Sequence, residues 1–365
     1  MSDANTEMKH GLTIVKKKTN AELLLADSPY SSFLKDMVYS SKEKDVSDIH
    51  IEPTESSVQI RFRIDGSMRL YKTVSLEHRE SLILEVKRIF GLAIGVSGKP
   101  QDSRVSFPDI KLDLRVNLLP TIYGEKVVMR LLNLESKFEL ASLGFQDHEV
   151  KALKQAIQHE NGVIIISGAT GSGKTKTLYS LLNEIGTSHF NIVTLEDPVE
   201  YRLHGVNQVQ VSKKISFADA LRAVLRQDPD VILVGEVRDA ETAKLCFQAA
   251  ETGHLVLTTL HANGSLEVVE RLYGLGIEKL AIESSLRCSI AQRLEPKLCD
   301  VCKVKHGHGF TINPKGCSKC HEGIKGRVPI FEWAEIKEKN ARVMQSLNES
   351  LKQRQLSGIV DQKEV

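Results

Sequence analysis

The chain has 365 residues, of which 41% are apolar and 26% charged, the composition of a globular protein with room for two domains. A net charge of +2 and an aromatic content of 5% argue against a surface built to coat nucleic acid. No apolar run approaches the ~18 residues of a membrane span, and the N-terminus lacks the apolar segment of a secretory signal, so the expected address is the cytoplasm.

Residues 1–20 are polar and include Lys16, Lys17 and Lys18, which predicts a mobile tail. A small α+β domain is expected over residues 21–132. Ser31 to Ser41 has the pattern of a helix, and Val58 to Ile64 alternates apolar and polar residues as a half-buried strand does. Asp65-Gly66 predicts a hairpin turn into Met68-Arg69-Leu70. His78 to Phe90 has helical periodicity, and two strands are expected over Leu112 to Leu119 and Lys126 to Leu132. Residues 133–141 form the expected linker. From residue 142 to 336 short apolar runs alternate with helical patterns, which predicts a parallel sheet with crossover helices. Residues 337–365 are charged and are expected as a helical tail.

The second domain opens with Val163 to Ile166, an apolar β-branched run that reads as a buried strand. It leads into Gly168-Ala169-Thr170-Gly171-Ser172-Gly173-Lys174-Thr175, then a helix from Lys176. The spacing G-x-x-x-x-G-K-T is that of a phosphate-binding loop. Its glycines let successive N–H groups face phosphate oxygens, and the helix N-terminus adds partial positive charge. The candidate nucleotide-binding residues are Gly168, Ala169, Thr170, Gly171, Ser172, Gly173, Lys174, Thr175 and Lys176. Lys174 would reach the outer phosphates, and the Thr175 hydroxyl would ligate Mg²⁺.

Acidic residues follow two later strands. Asn191 to Leu195 ends in Glu196-Asp197-Pro198, and Val231 to Val234 ends in Gly235-Glu236. Carboxylates just past the C-terminal ends of parallel strands stand where open α/β sheets bind ligands. Glu236 is the candidate for orienting water or the magnesium shell; Glu196 or Asp197 could do the same from the next strand. Leu255 to Thr259 is a further strand, bracketed by His254 and His261. His261 is the candidate for sensing the terminal phosphate.

Cys299-x-x-Cys302 and Cys317-x-x-Cys320 have the spacing of a tetrahedral zinc site, here expected over residues 297–322. Cysteine at all four positions leaves no place for a reactive water, so the predicted zinc is structural. Cys246 and Cys288 sit in apolar helical patterns and read as small core residues.

Three stretches of this second domain together resemble one family. Val193 to Tyr201 looks like the acidic box, Leu225 to Asp239 like the Walker B segment and Thr252 to His261 like the histidine box of the secretion and type IV pilus assembly ATPases. In the first domain Ser47 to Pro53, Ile60 to Gly66, Leu114-Arg115-Val116 and Leu119 to Lys126 resemble the same family, so the likeness runs from Ser47 to Glu332. The resemblance implies a RecA-like P-loop motor domain preceded by a PAS-like domain. It further implies an ATP hydrolase that assembles as a homohexamer, closes its domains around ATP and Mg²⁺, and powers a type IV pilus, a pseudopilus or a related filament. By motif position Arg104 and Arg115, with Arg130 beside them, take the role of arginines that stabilise charge on the transferring phosphoryl group. The cysteine element resembles that of the assembly and export members, and Gly326 to Glu332 their strand after the zinc. The implied partner is an inner-membrane platform protein, which would hold the chain at the membrane without a transmembrane segment or a stable nucleic-acid contact. The alternative class is a RecA-like nucleic-acid translocase, which needs a basic, aromatic-bearing groove. A zinc-ribbon scaffold with a vestigial nucleotide site is a third reading.

Overall fold

The computed structural model describes residues 28–134, 138–337 and 340–362, and a two-residue strand pair in which Met8–Lys9 faces Leu12–Thr13. The rest of the expected N-terminal tail lies outside the described residues. The chain divides into two compact units, Met1–Ser136 and Lys137–Val365.

In the first unit α1 (Pro29–Glu43) begins at Ser28, whose hydroxyl accepts the Ser31 N–H at 3.1 Å, and has Pro29 in its first turn, where no N–H is missed. Leu34, Met37 and Val38, spaced to share one face, are buried. Six strands follow around one further helix: β1 (Asp48–Pro53), β2 (Ser57–Ile64), β3 (Ser67–Ser75), α2 (Arg79–Ile89), β4 (Gln101–Phe107), β5 (Leu112–Thr121) and β6 (Gly124–Asn133). They pair antiparallel in the order β3-β2-β1-β6-β5-β4. Asp65 and Gly66 both take positive φ, 50° and 89°, the backbone a two-residue hairpin turn requires. The buried residues of α1 and α2 share one apolar core with Val58, Ile60, Phe62 and Ile64 of β2. The edge strand β4 has no counterpart among the expected elements, because its first four residues are too polar to alternate.

The second unit is built on β7 (Gly162–Ser167), β8 (Ile192–Glu196), β9 (Asn207–Gln210), β10 (Val231–Val234), β11 (Leu255–Leu260) and β12 (Leu286–Leu298). These run parallel in the order β9-β8-β10-β11-β7-β12. Every residue of β7, β8, β10 and β11 is buried, as expected for strands covered on both faces. The accompanying helices are α3 (Asp147–Ala156), α4 (Lys174–Ile185), α5 (Phe217–Val224), α6 (Ala240–Glu251), α7 (Glu267–Gly274) and α8 (Lys279–Ser285). After β12 a small ribbon, β13 (Val304–His306) and β14 (Gly309–Thr311), stands apart, and β15 (Ile324–Lys337) and β16 (Asn340–Gln345) extend the main sheet antiparallel. The segment after Ile336 is therefore not wholly helical: β16 returns along β15 before α9 (Leu347–Leu356) begins at a Ser346/Glu349 capping box. In α9, Arg354 is fully buried against Glu149 of α3, a pair that Gln345 and Ser350 complete by hydrogen bonds to the same carboxylate.

Cys246 lies on α6 as expected, but Cys288 is a strand residue: in β12 it stands between Ile164 of β7 and Glu335 of β15. A residue with a strand on each side is buried by those strands and not by a helix face. Burial pushes both thiols up to about 12, consistent with inert core residues.

Candidate functional site

The site starts where β7 ends. Gly168, Gly171 and Gly173 take φ of 141°, 81° and 89°, left-handed values that only glycine adopts without strain. At Gly168 a Cβ would stand 2.3 Å from the Gln292 carbonyl oxygen, whereas at Gly171 it would meet nothing within 4 Å. One glycine thus lets two backbones touch, and the other only turns the chain. Ala169, Thr170 and Gly171 form the exposed loop tip, and α4 starts at Lys174 with Thr175 half-buried and Lys176 exposed in its first turn.

Lys174 Nζ donates to the carbonyl oxygens of Gly168 at 2.7 Å and Ala169 at 3.0 Å, arching over its own loop. Burial lowers its pKa, and the negative charge of Glu236 opposes that shift. The Ser172 hydroxyl is buried and has no hydrogen-bond partner among the described residues. A loop with left-handed glycines, a helix N-terminus behind it and an unpaired buried hydroxyl suits a polyphosphate chain.

The two strand-end glutamates diverge. Glu196 at the end of β8 is buried: Tyr179 and Thr194 donate their hydroxyl protons to it, the latter at 2.6 Å, and Gln208 adds an amide at 3.1 Å. Burial, then the Glu196 charge, raises the Tyr179 pKa and keeps that phenol protonated. Glu236, just past β10, stays at the surface of the site, ion-paired to Arg238 and 3.8 Å from His261 Nε2. Arg238 also stands 3.8 Å from the exposed Asp197. Arg238 escaped the sequence reading although it follows Glu236 by two residues. His261, past the end of β11, lines a cleft of about 590 Å³ with Gly168, Ala169, Asn263, Glu267 and Arg271. His254 lies at the other end of β11, its ring nitrogen Nδ1 2.7 Å from the Ala249 carbonyl oxygen, so it takes no part in this edge. Lys174, Glu236, His261 and the loop are thus brought together at the C-terminal edge of β7, β10 and β11, while Glu196 is turned inward.

Gln292 of β12 is the other residue the sequence did not reveal. It is buried, its Nε2 donates to the Ser172 carbonyl at 2.7 Å, and its Oε1 accepts from the Thr177 hydroxyl at 2.9 Å.

Arg104, Arg115 and Arg130 belong to the first unit, where strand register aligns them. Arg63 stands opposite Asp48, Asp48 opposite Arg130, Arg130 opposite Arg115 and Arg115 opposite Arg104. Directly paired residues share a face, so the row presents cations from β2, β6, β5 and β4. Arg104 pairs with Asp113 at 2.9 Å and Arg130 with Asp48 at 3.0 Å.

The sulfurs of Cys299, Cys302, Cys317 and Cys320 all lie within 4.8 Å of one another. Separations of 3.8, 3.5 and 3.6 Å match the edge of a tetrahedron with zinc–sulfur bonds of ~2.3 Å, about 3.8 Å, and exclude a disulfide at ~2.05 Å. Burial pushes the Cys299 thiol up, but the backbone amides of Val301 and Cys302 and the neighbouring thiols outweigh it and bring it down to about 7. The donor set and its spacing fit zinc.

The model of the family described as Type II/IV secretion system protein matches residues 24–362. The chain belongs to that family. Among type II/IV secretion proteins it is 40% identical over 335 residues to the type IV pilus assembly ATPase PilB of Acinetobacter baylyi, a match covering 85% of this chain and 58% of that protein. It is 41% identical over 336 residues to the putative type II secretion system protein E of Escherichia coli, covering 86% of this chain and 68% of that one. Among solved structures it resembles the pilus retraction motor PilT with bound ADP, with a TM-score of 0.65, 27% identity, and 90% of this chain and 94% of that one covered. The Legionella pneumophila ATPase DotB shares the fold, with a TM-score of 0.70 at 23% identity over 91% of this chain and 94% of that one. The fold class is the one expected, a largely parallel α/β domain of the secretion-ATPase kind after a small antiparallel α+β domain. No helix among the described residues is long and apolar enough to cross a membrane.

Proposed function

We propose that this chain is an ATP hydrolase that drives assembly of a type IV pilus, a pseudopilus or a related filament. The observation that carries the reading is one edge of one sheet: a glycine-built phosphate loop, Lys174, Glu236 and His261 at the ends of three neighbouring strands. The loop amides and Lys174 hold the outer phosphates of ATP. Magnesium, when bound, draws charge off those phosphates, and Thr175 with the carboxylates Glu236 and Asp197 would hold it and its water shell. Glu236 orients the attacking water, and His261, exposed beside it, donates to the terminal phosphate oxygen. Arg238 restrains Glu236 through its ion pair. Arg104 and Arg115 supply positive charge to the transferring phosphoryl group when the first unit closes on the nucleotide. Six copies in a ring would turn that closure into work on a platform protein in the inner membrane. Zinc held by Cys299, Cys302, Cys317 and Cys320 would tie the ribbon after β12 together and, with no open ligand position, would take no part in the chemistry.

Glu236→Gln tests the assignment. Phosphate release should fall ~100-fold or more, while affinity for magnesium-ATP by calorimetry stays within about threefold of the parent, an uncertainty of less than 1 kcal/mol. Turnover at the parent rate would remove Glu236 from the reaction, and a parent chain that binds no magnesium-ATP would overturn the ATPase reading.

A further inference from the structure

Beside the loop, β12 pairs parallel with β7, and its last matched residue, Ala291, stands opposite Ser167. Gln292 is the next position, so its side chain meets the chain where β7 gives way to the loop. On its other side Gln292 stands opposite Phe331 of β15, so its backbone is held within the sheet. The side chain reaches the far limb of the loop and bridges two groups: the Ser172 carbonyl and the Thr177 hydroxyl on the first turns of α4.

The chemistry of the bridge leaves one orientation. A carbonyl oxygen only accepts, so the Gln292 atom facing Ser172 must be the amide nitrogen, and Oε1 must then take the hydroxyl proton of Thr177. Pinning the Ser172 carbonyl also orients its partner across the peptide plane. In a trans peptide the C=O and the following N–H point in opposite directions, so the Gly173 N–H is turned away from Gln292. The contact is close as well: a Cβ at Gly173 would lie 2.9 Å from Gln292 Nε2, and one at Gly168 2.3 Å from the Gln292 carbonyl.

We infer that Gln292 is a positioning residue for nucleotide binding: it sets the direction of the phosphate-loop amides from the neighbouring strand. The inference rests on the nucleotide reading of the loop. It explains why the loop requires glycine at two points that face β12, and it gives a strand outside the sequence motif a part in nucleotide affinity. A leucine in its place would leave the buried Ser172 carbonyl without a donor. A glutamate would set a negative oxygen against that carbonyl, and only its protonated form, favoured by burial, regains a donor.

The experiment measures magnesium-ADP affinity by calorimetry on the full chain, with Lys174→Ala as the control for the loop, and melting temperature without nucleotide. For Gln292→Glu the affinity relative to the parent should be about tenfold weaker near pH 8, equivalent to ~1.4 kcal/mol, and should recover as the pH is lowered to about 6 and the buried glutamate takes up its proton. Gln292→Leu should be weaker by a similar factor at both pH values, with no recovery. If Gln292→Leu fails to fold, the pH response of Gln292→Glu still decides. Parent-like affinity in Gln292→Glu across this range, or a loss that is the same at both pH values and follows the melting temperature, would overturn the inference. A parent that does not bind ADP, or a Lys174→Ala variant that binds it as well as the parent, would overturn the nucleotide reading instead.

Discussion

The phosphate loop and the four-cysteine element lie along the same strand, β12, one beside Gln292 and the other just past Leu298. They differ in what satisfies their polar groups. In the loop the protein meets the carbonyls itself and leaves the Ser172 hydroxyl for a ligand: Lys174 covers the Gly168 and Ala169 carbonyls, and Gln292 covers the Ser172 carbonyl and the Thr177 hydroxyl. The cysteine element has four sulfurs turned toward one another and little besides backbone amides to meet them. Thiols are weak donors and weak acceptors, so such a cluster gains its strength from a cation that replaces their protons. The loop's carbonyls are thus met without a ligand, whereas the four thiols are met only when a cation replaces their protons.

The largest effect should come from denying the cluster its proposed zinc. Stripping zinc with a strong chelator, or replacing Cys317 with Ser, should abolish hydrogen-exchange protection across residues 297–322, because structural zinc is worth on the order of 10 kcal/mol to small metal elements. Magnesium-ADP affinity should stay within about threefold of the parent, less than 1 kcal/mol. A chain that yields no zinc by elemental analysis, or an element unchanged by chelation, breaks the comparison at the cysteine end.

Next come the loop glycines. Gly168→Ala would push a methyl group into the Gln292 carbonyl at 2.3 Å and should weaken nucleotide binding by about 100-fold, ~2.7 kcal/mol. Gly171→Ala meets open space and has only its φ of 81° to strain, so its effect should be about tenfold, the ~1–2 kcal/mol of a left-handed alanine. Calorimetry on the two variants checks the order; equal losses would show that contact with β12 does not matter to the loop.

The smallest effect is a pH response. Lys174 must be protonated to hold phosphate, and its pKa lies below the 10.5 of free lysine because of burial, against the opposing charge of Glu236. Nucleotide affinity should therefore fall as pH rises through that lowered value, by no more than about tenfold per pH unit. Fold stability moves the other way there, because the unfolded chain binds this proton more tightly and loses it only near 10.5. Affinity that is flat across the alkaline range would remove the cation from phosphate binding.

Both ends of β12 were legible as spacing, since glycines, a lysine and paired cysteines carry their chemistry locally. The long apolar strands β7, β10 and β11 and the alternating β2 were legible as pattern. Less was legible where burial came from partners distant in the chain. Cys288 and the segment after Ile336 read as helical because nothing in their own residues announces the strand beside them. Gln292 was a single amide between Ala291 and Arg293, and its use depends on Ser172, which lies 120 residues earlier.

The amino-acid sequence by itself determined the glycine-lysine loop, the four-cysteine spacing, the two-part α/β organisation and the family, because each rests on residues near one another along the chain. Only the tertiary structure decided between chemically identical candidates. Glu196 and Glu236 are both carboxylates at strand ends, yet one is consumed by Tyr179, Thr194 and Gln208 and the other is left facing Lys174 and His261. A carboxylate's role follows from which donors surround it, and those donors arrive only when separate strands and helices pack together.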